Sequence, residues 1–69
     1  MPLTMLNTGD TGTITRIKGK DEQRRFMESL GFVEGADVAV VSKLSGNLIV
    51  HIKDSRVAID KNMANRIIV

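Results

Sequence analysis

Hydrophobic residues along this 69-residue chain occur in short segments, and six glycines lie between or beside those segments. Short apolar segments bounded by turn residues are typical of small all-β domains. The clearest alternation predicts a strand in which Leu48, Val50 and Ile52 face inward, because side chains one residue apart point to opposite faces of a strand. A turn at Asp54–Ser55 then leads to a second strand, whose inward residues are Val57 and Ile59.

The N-terminal third predicts an apolar entry segment, a turn and a further strand. Asn7–Asp10 has the composition of a turn, and Thr13–Lys18 is rich in β-branched residues. Ile14 and Ile17 are three positions apart, so strict alternation would place them on opposite faces. A β-bulge between them would return both side chains to the core, and we therefore predict one bulged strand.

One helix is predicted over residues 21–30. Asp21 can accept hydrogen bonds from free amides at the helix start, and Gly31 can end the helix in a left-handed conformation. Phe32 would then fold back against the last turn. The side predicted to pack on the rest of the domain consists of Gln23, Phe26, Met27 and Leu30. Both phenylalanines are therefore expected to be buried.

The remaining pattern predicts a strand over Ala36–Lys43, with Val38 and Val40 facing inward, followed by a hairpin loop. Asp60 can cap a short helical turn over Lys61–Asn65, and Ile67–Val69 forms a final strand. The predicted fold is mainly β, a closed SH3-like barrel of about five strands with one inserted helix. Residues 1–69 form a single domain.

The residues needed for catalysis or metal binding are scarce. There is no cysteine, which excludes disulfides and thiolate zinc sites, and His51 is the only histidine. A triad or a pair of tuned carboxylates cannot be assembled convincingly from this set. The nearest metal-ligand candidates, His51, Asp54 and Asp60, lack a ligand-pair spacing. We predict no catalytic residue, no metal site and no cofactor.

Ten basic and eight acidic residues give a formal charge of only +2. The one basic cluster comprises Arg16, Lys18, Lys20, Arg24 and Arg25. Acidic residues interleave with it, and no Tyr or Trp is present to stack on bases, so nucleic-acid binding is not favoured. No apolar run reaches the roughly 18 residues of a membrane span, and no signal peptide is visible. We therefore expect a cytoplasmic protein without direct membrane insertion.

Three motifs in order resemble the FeoA family over essentially the whole chain. The first is Leu3, Leu6, Gly9, Gly12, Ile14, Ile17 and Gly19. The second is Leu30-Gly31-Phe32 followed by Gly35. The third is Ala58-Ile59, Ala64, Ile67 and Val69. Proteins of this family often have Pro immediately before the second glycine of the middle motif, where this chain has Glu34. Because proline presets a turn, this departure from the family pattern predicts a looser loop here.

The resemblance implies an SH3-like barrel with an inserted helix and a non-enzymatic, cytosolic accessory role in ferrous iron uptake. Its implied partner is FeoB, a membrane iron transporter with a GTPase domain, which the protein would bind and could also modulate. Two alternatives stay open. One is an iron-responsive regulatory domain, because the same barrel is a terminal domain of metal-dependent repressors. The other is a small barrel that binds nucleic acid.

The family motifs consist mostly of core and turn residues, so the choice of partner-binding residues is our own inference. We predict that the partner contacts the exposed side of the helix and the segment just after it: Arg24, Arg25, Glu28, Phe32, Val33 and Glu34. These residues combine charge for steering with a small apolar patch for affinity. The other role open to Phe32 and Val33 is to cover one end of the barrel.

Overall fold

The computed structural model describes all residues, 1–69, and contains six strands and two α-helices. A 3₁₀ turn over Leu3–Met5 comes first. The strands are β1 (Thr11–Thr13), β2 (Arg16–Ile17), β3 (Asp37–Leu44), β4 (Asn47–Ile52), β5 (Ser55–Asp60) and β6 (Ile67–Ile68). The helices are α1 (Glu22–Ser29) and α2 (Lys61–Arg66). The mainly β character, the inserted helix and the final strand are as the sequence predicts.

Two tight hairpins build the main sheet, whose strand order is β1-β3-β4-β5 with every pair antiparallel. Ser45 and Gly46 join β3 to β4 with φ of 43° and 87°, the left-handed pair that a two-residue hairpin turn favours. Lys53 and Asp54 join β4 to β5, and Lys53 has φ of 53°. This turn is one residue earlier than predicted from the sequence, so Ser55 already belongs to β5.

The predicted single strand over residues 13–18 is wrong, although both of its isoleucines are buried. The chain divides at Ile14–Thr15, so that β1 pairs with β3 whereas β2 pairs with β6. Ile14 and Ile17 are 1% and 3% exposed. The change of sheet, rather than a bulge, restores the inward direction of the second isoleucine. A register shift occurs instead in β3, between Val40 and Ser42.

The barrel is not closed, which corrects the sequence-based expectation. β2 and β6 form a separate two-stranded sheet, and β5 ends the four-stranded sheet without a neighbour on its other side. The core lies between the two sheets and the helices. It consists of fourteen apolar side chains: Leu3, Leu6, Ile14, Ile17, Met27, Phe32, Val38, Val40, Leu48, Val50, Ile52, Ile59, Ala64 and Ile67. The inward residues predicted for the strands are thus confirmed, except that Val57 is only half-buried.

Helix α1 begins and ends as the sequence predicts. Asp21 accepts a hydrogen bond from the Arg24 amide, with 3.2 Å between the two atoms. At the other end Gly31 has φ of 107°, and the Phe32 amide donates to the Met27 carbonyl over 3.1 Å. Together with the bond from the Gly31 amide to the carbonyl of residue 28, this is the Schellman arrangement that ends many helices. Phe32 is thereby turned into the core.

The predicted packing side of α1 is partly wrong. Met27 is fully buried and Leu30 is half-buried, but Gln23 is exposed and Phe26 is 57% exposed. Neighbouring helical side chains differ in direction by about 100°. When Met27 points straight into the core, Phe26 therefore points sideways. An eight-residue helix whose only fully buried side chain is Met27 buries too narrow a stripe to include Phe26.

Candidate partner-binding surface

The six residues predicted to contact a partner divide into five accessible ones and one core residue. Arg25, Glu28 and Glu34 are exposed, whereas Arg24 and Val33 are half-buried. Phe32 is 0% exposed. The Phe32 side chain cannot contribute to an outer surface while the protein is folded. Its role is therefore the other one considered from the sequence, which is to cover the interior of the domain.

Four of the accessible residues meet around one shallow depression of about 380 Å³. Its lining consists of Ile17, Arg24, Glu28, Val33 and Glu34. The end of β2, helix α1 and the loop before β3 each contribute to it. Two aliphatic side chains are surrounded there by three ionised ones, which is the composition of a small protein-binding patch with a charged rim. The sequence alone could not show that Ile17 takes part.

Arg24 is held in place within this surface. Its Nε lies 3.2 Å from Glu28 Oε1, and its Nη1 donates to the Gly19 carbonyl over 2.9 Å. The Arg24 side chain is only 33% exposed, so it is a fixed part of the depression rather than a mobile surface cation. Arg25 has no ion-pair partner and projects from the outer side of α1 beside the same pair of residues.

The whole net charge of the protein resides at this end of the molecule. Residues 16–28 contain five basic and three acidic side chains, whereas the rest of the chain contains five of each. The two ion pairs in the structure join Arg24 to Glu28 and Arg66 to Asp21. Arg16, Lys18, Lys20 and Arg25 therefore remain as unpaired cations around the loop before α1, where they favour an acidic partner.

Arg66, which the sequence analysis missed, ties the start of α1 to α2. Its Nη2 lies 2.7 Å from Asp21 Oδ1, its Nη1 donates to Gln23 Oε1 over 2.8 Å and its Nε donates to the Lys18 carbonyl over 3.0 Å. All three partners lie more than 40 positions away along the chain. No local pattern links residues so far apart, and a basic residue in the last turn of a helix has an ordinary explanation. The Arg66 side chain thus fixes the basic loop on which the candidate surface depends.

We expect acid to weaken the contact between Arg66 and Asp21. Replacement of Asp21 should therefore change how the free energy of unfolding depends on pH. The hydrogen bond from Arg66, followed by that from the Arg24 amide, holds the pKa of Asp21 below its ordinary value of 3.8. A carboxyl whose pKa is lowered by folding stabilises the native state above its unfolded pKa, and this contribution is lost as the pH falls through the folded pKa. The free energy of unfolding should therefore fall below about pH 4, and part of that fall should be absent in Asp21→Asn.

Urea denaturation of the parent and of Asp21→Asn at a series of pH values tests this expectation. Asn retains an oxygen that caps the helix, so that the substitution removes mainly the charge. Asp54→Asn, in the β4–β5 turn and without an ion pair, is the matched control and should keep the parental acid dependence. An identical pH profile for the parent and Asp21→Asn would contradict the stabilising role of the Arg66–Asp21 contact.

The metal-ligand candidates named from the sequence do not come together in the structure. No three His, Asp or Glu side chains lie close enough together to hold a metal ion. His51 is exposed on β4, with Ala39 and Arg56 as its cross-strand neighbours. Neither helix is long and apolar enough to cross a membrane.

The architecture defines the class of protein: a small SH3-like β domain with one inserted helix and one helical turn before its last strand. A family model described as the FeoA domain matches residues 1–69, which is the full chain. The chain belongs to the FeoA family, whose members are accessory domains of ferrous iron transport. No protein with a curated function matches the chain.

Solved structures of the same family superimpose closely. An iron uptake regulatory protein (FeoA) is 32% identical, with a TM-score of 0.86 and coverage of 96% of this chain and 88% of its own. The Stenotrophomonas maltophilia FeoA complexed with zinc is 26% identical, with a TM-score of 0.88 and coverage of 99% and 87%. That protein is described as an SH3 domain protein possibly acting as a ferrous iron transport activating factor.

A manganese-dependent transcriptional repressor also contains this fold. It is 28% identical, with a TM-score of 0.83, and the match covers 97% of this chain but 39% of the repressor. The similarity is therefore confined to one part of the repressor.

Proposed function

We propose that this protein is a non-enzymatic, cytoplasmic accessory protein of ferrous iron uptake that binds the cytosolic side of a FeoB-type membrane GTPase. The observation that supports this role most directly is the depression at residues 17, 24, 28, 33 and 34, together with the charge excess beside it. Membership of the FeoA family supplies the transport context. The protein offers a shaped and charged surface, and this is what an adaptor requires.

The proposed contact has an apolar centre and a charged rim. Val33, which is half-buried, supplies the accessible apolar part of this centre, and the core side chain of Ile17 lies beneath it; exclusion of water there provides affinity. The unpaired cations around the loop before α1 steer an acidic surface toward it. Modulation of the partner's GTPase activity would follow if the protein bound one nucleotide state of FeoB more tightly than another, since a ligand shifts an equilibrium only by its differential affinity.

Binding to FeoB is tested by titrating the protein onto the purified transporter, and onto its cytosolic domain, with GDP or a non-hydrolysable GTP analogue bound. Arg25→Glu should weaken binding about tenfold, because it places a like charge opposite an acidic partner surface. The Arg25 side chain takes part in neither ion pair and only the backbone amide of Arg25 donates a hydrogen bond, to the Asp21 carbonyl, so that reversal of its charge leaves the fold intact. Lys61→Glu, an equal change of charge at the exposed first position of α2, is the control and should bind normally.

Two results would contradict the proposal. One is the absence of binding in every nucleotide state, together with normal ferrous iron uptake in cells that lack the protein. The other is an equal effect of the two charge reversals, which would point to general electrostatic attraction instead of the surface on α1.

The structural similarity to the manganese-dependent repressor supports a second candidate, an iron-responsive regulatory domain. It predicts saturable binding of Fe²⁺ to the isolated protein, measured by calorimetry under anaerobic conditions. Binding abolished in His51→Ala would favour it over the adaptor role. The adaptor role predicts no stoichiometric Fe²⁺ binding by the protein alone.

A further inference from the structure

The outer edge of β5 has no backbone partner within the chain. β5 is the last strand of the four-stranded sheet, and none of the 17 backbone hydrogen bonds outside the helices and ladders involves it. The four-stranded sheet therefore has an open edge along β5.

The hairpin geometry fixes which groups of β5 point outward. A two-residue turn is flanked by a pair of residues that exchange both hydrogen bonds, and here that pair is Ile52 and Ser55. Every second residue along β5 repeats this arrangement, so Val57 and Ile59 bond to β4. The N–H and C=O groups of the residues between them consequently point away from the sheet. An unpaired row of this kind is a template for another strand.

We propose that the open edge pairs with the same edge of a second copy of this chain, antiparallel and with the two-fold axis at Ala58. This register places Arg56 opposite Asp60 of the second copy, and the reverse, while Ala58 meets Ala58. Because the Asp60 carbonyl accepts the first hydrogen bond of α2, the three residue pairs exchange about four backbone hydrogen bonds. The four-stranded sheet becomes a continuous eight-stranded sheet across the pair.

Charge complementarity selects both the second copy as the occupant and the register. Charged residues on an edge strand usually prevent pairing. Here the two charges are opposite and lie symmetrically about a small residue, so pairing through Ala58 brings opposite charges together on both sides. Shifting the axis to Val57 would place Arg56 opposite Ala58 and leave Asp60 without a counter-charge. A shift by half a residue would set inward side chains against outward ones.

The side chains needed for this contact are available. Arg56, Ala58 and Asp60 are exposed, and Arg56 takes part in neither ion pair of the chain. Asp60 uses Oδ1 to accept from the Met63 amide over 2.8 Å at the start of α2. Its second oxygen remains free to accept from a guanidinium group of the second copy.

The proposed interface is separate from the surface assigned to the transporter. No residue of β5 lines the depression at α1 or the two depressions beside it. Self-association therefore leaves the partner surface open, and the pair would present two such surfaces at once. An interface of a few strand residues is small, so it belongs to the weak and transient class.

The test compares the parent protein with Ala58→Pro, Arg56→Asp and Ala58→Ser. Sedimentation and amide chemical shifts are followed as the concentration rises from about 0.05 to about 1 mM, where weak interfaces become populated. Proline at position 58 removes an outward N–H while the ladder to β4 is kept, as edge strands allow. Arg56→Asp sets carboxylates against Asp60, and Ala58→Ser retains the N–H as the control.

The parent and Ala58→Ser should show a concentration-dependent rise in average mass, with amide shifts concentrated at residues 56, 58 and 60. Ala58→Pro and Arg56→Asp should remain monomeric over the same range. The two variants act by different means, so a folding defect in one leaves the other informative. A parent that stays monomeric up to about 1 mM, or an association that both variants retain, would overturn the proposal.

Discussion

Replacement of Phe32 by Ala lowers the free energy of unfolding by about 3–5 kcal/mol, the usual range for truncating a buried phenylalanine. Phe32 is 0% exposed and is the largest of the fully buried side chains. It follows the Schellman end of α1, so the cavity opens where the helix joins the sheet. A 69-residue domain typically has a total stability of about 3–10 kcal/mol. The variant should therefore be largely unfolded at modest urea concentrations.

The chain provides a matched control at Phe26, since the same substitution there removes the same side chain from a position that is 57% exposed. Phe26→Ala should lower the free energy of unfolding by at most about 1 kcal/mol, because most of the ring is already in contact with water. Urea denaturation followed by far-ultraviolet circular dichroism measures both variants. Equal losses of stability would contradict the assignment of Phe32 to the core and of Phe26 to the surface.

The same pair of residues shows how far local sequence patterns determine this fold. The Asp21 cap, the Gly31 end and the alternation in β4 each depend on neighbours a few positions away, and the structure has all three as predicted. The exposure of Phe26 depends instead on how α1 rotates against the sheets. That rotation is set by the packing of Met27, which the helical pattern alone does not specify.

The candidate surface likewise combines features that local sequence patterns predict with features that only distant contacts determine. Arg25 and Glu28 were predictable as exposed charges, because they point about 100° or more away from Met27 around α1, whereas Arg24 lies only about 60° from Met27 and is half-buried. Ile17 and the contacts of Arg66 were not predictable, since they arise where β2 pairs with β6 and α2 meets the loop before α1. The division of the predicted strand at Ile14 has the same origin. A change of sheet depends on which distant strand provides the hydrogen bonds, as in the bond from the Thr15 amide to the Ile68 carbonyl.

Replacement of Gly19 by Ala should lower the free energy of unfolding by more than the same substitution at Gly9, for two reasons that can be separated. Gly19 has φ of +94°, where an L side chain is strained by about 1 kcal/mol or more. The added Cβ would also overlap the Arg66 guanidinium group and displace it from Asp21, Gln23 and the Lys18 carbonyl. Loss of these hydrogen bonds adds to the cost of the backbone strain.

Gly9→Ala measures the backbone strain alone, because Gly9 has φ of +93° and nothing lies within 4 Å of its added Cβ. Its cost should be about 1–2 kcal/mol. Gly19→Ala in an Arg66→Ala background should cost no more than this, since the guanidinium group is then absent. Urea denaturation of the two single variants and the double variant gives this coupling free energy directly. If Gly19→Ala and Arg66→Ala had additive effects on the free energy of unfolding, a side chain at position 19 would be compatible with the Arg66 contacts. That result would contradict the prediction.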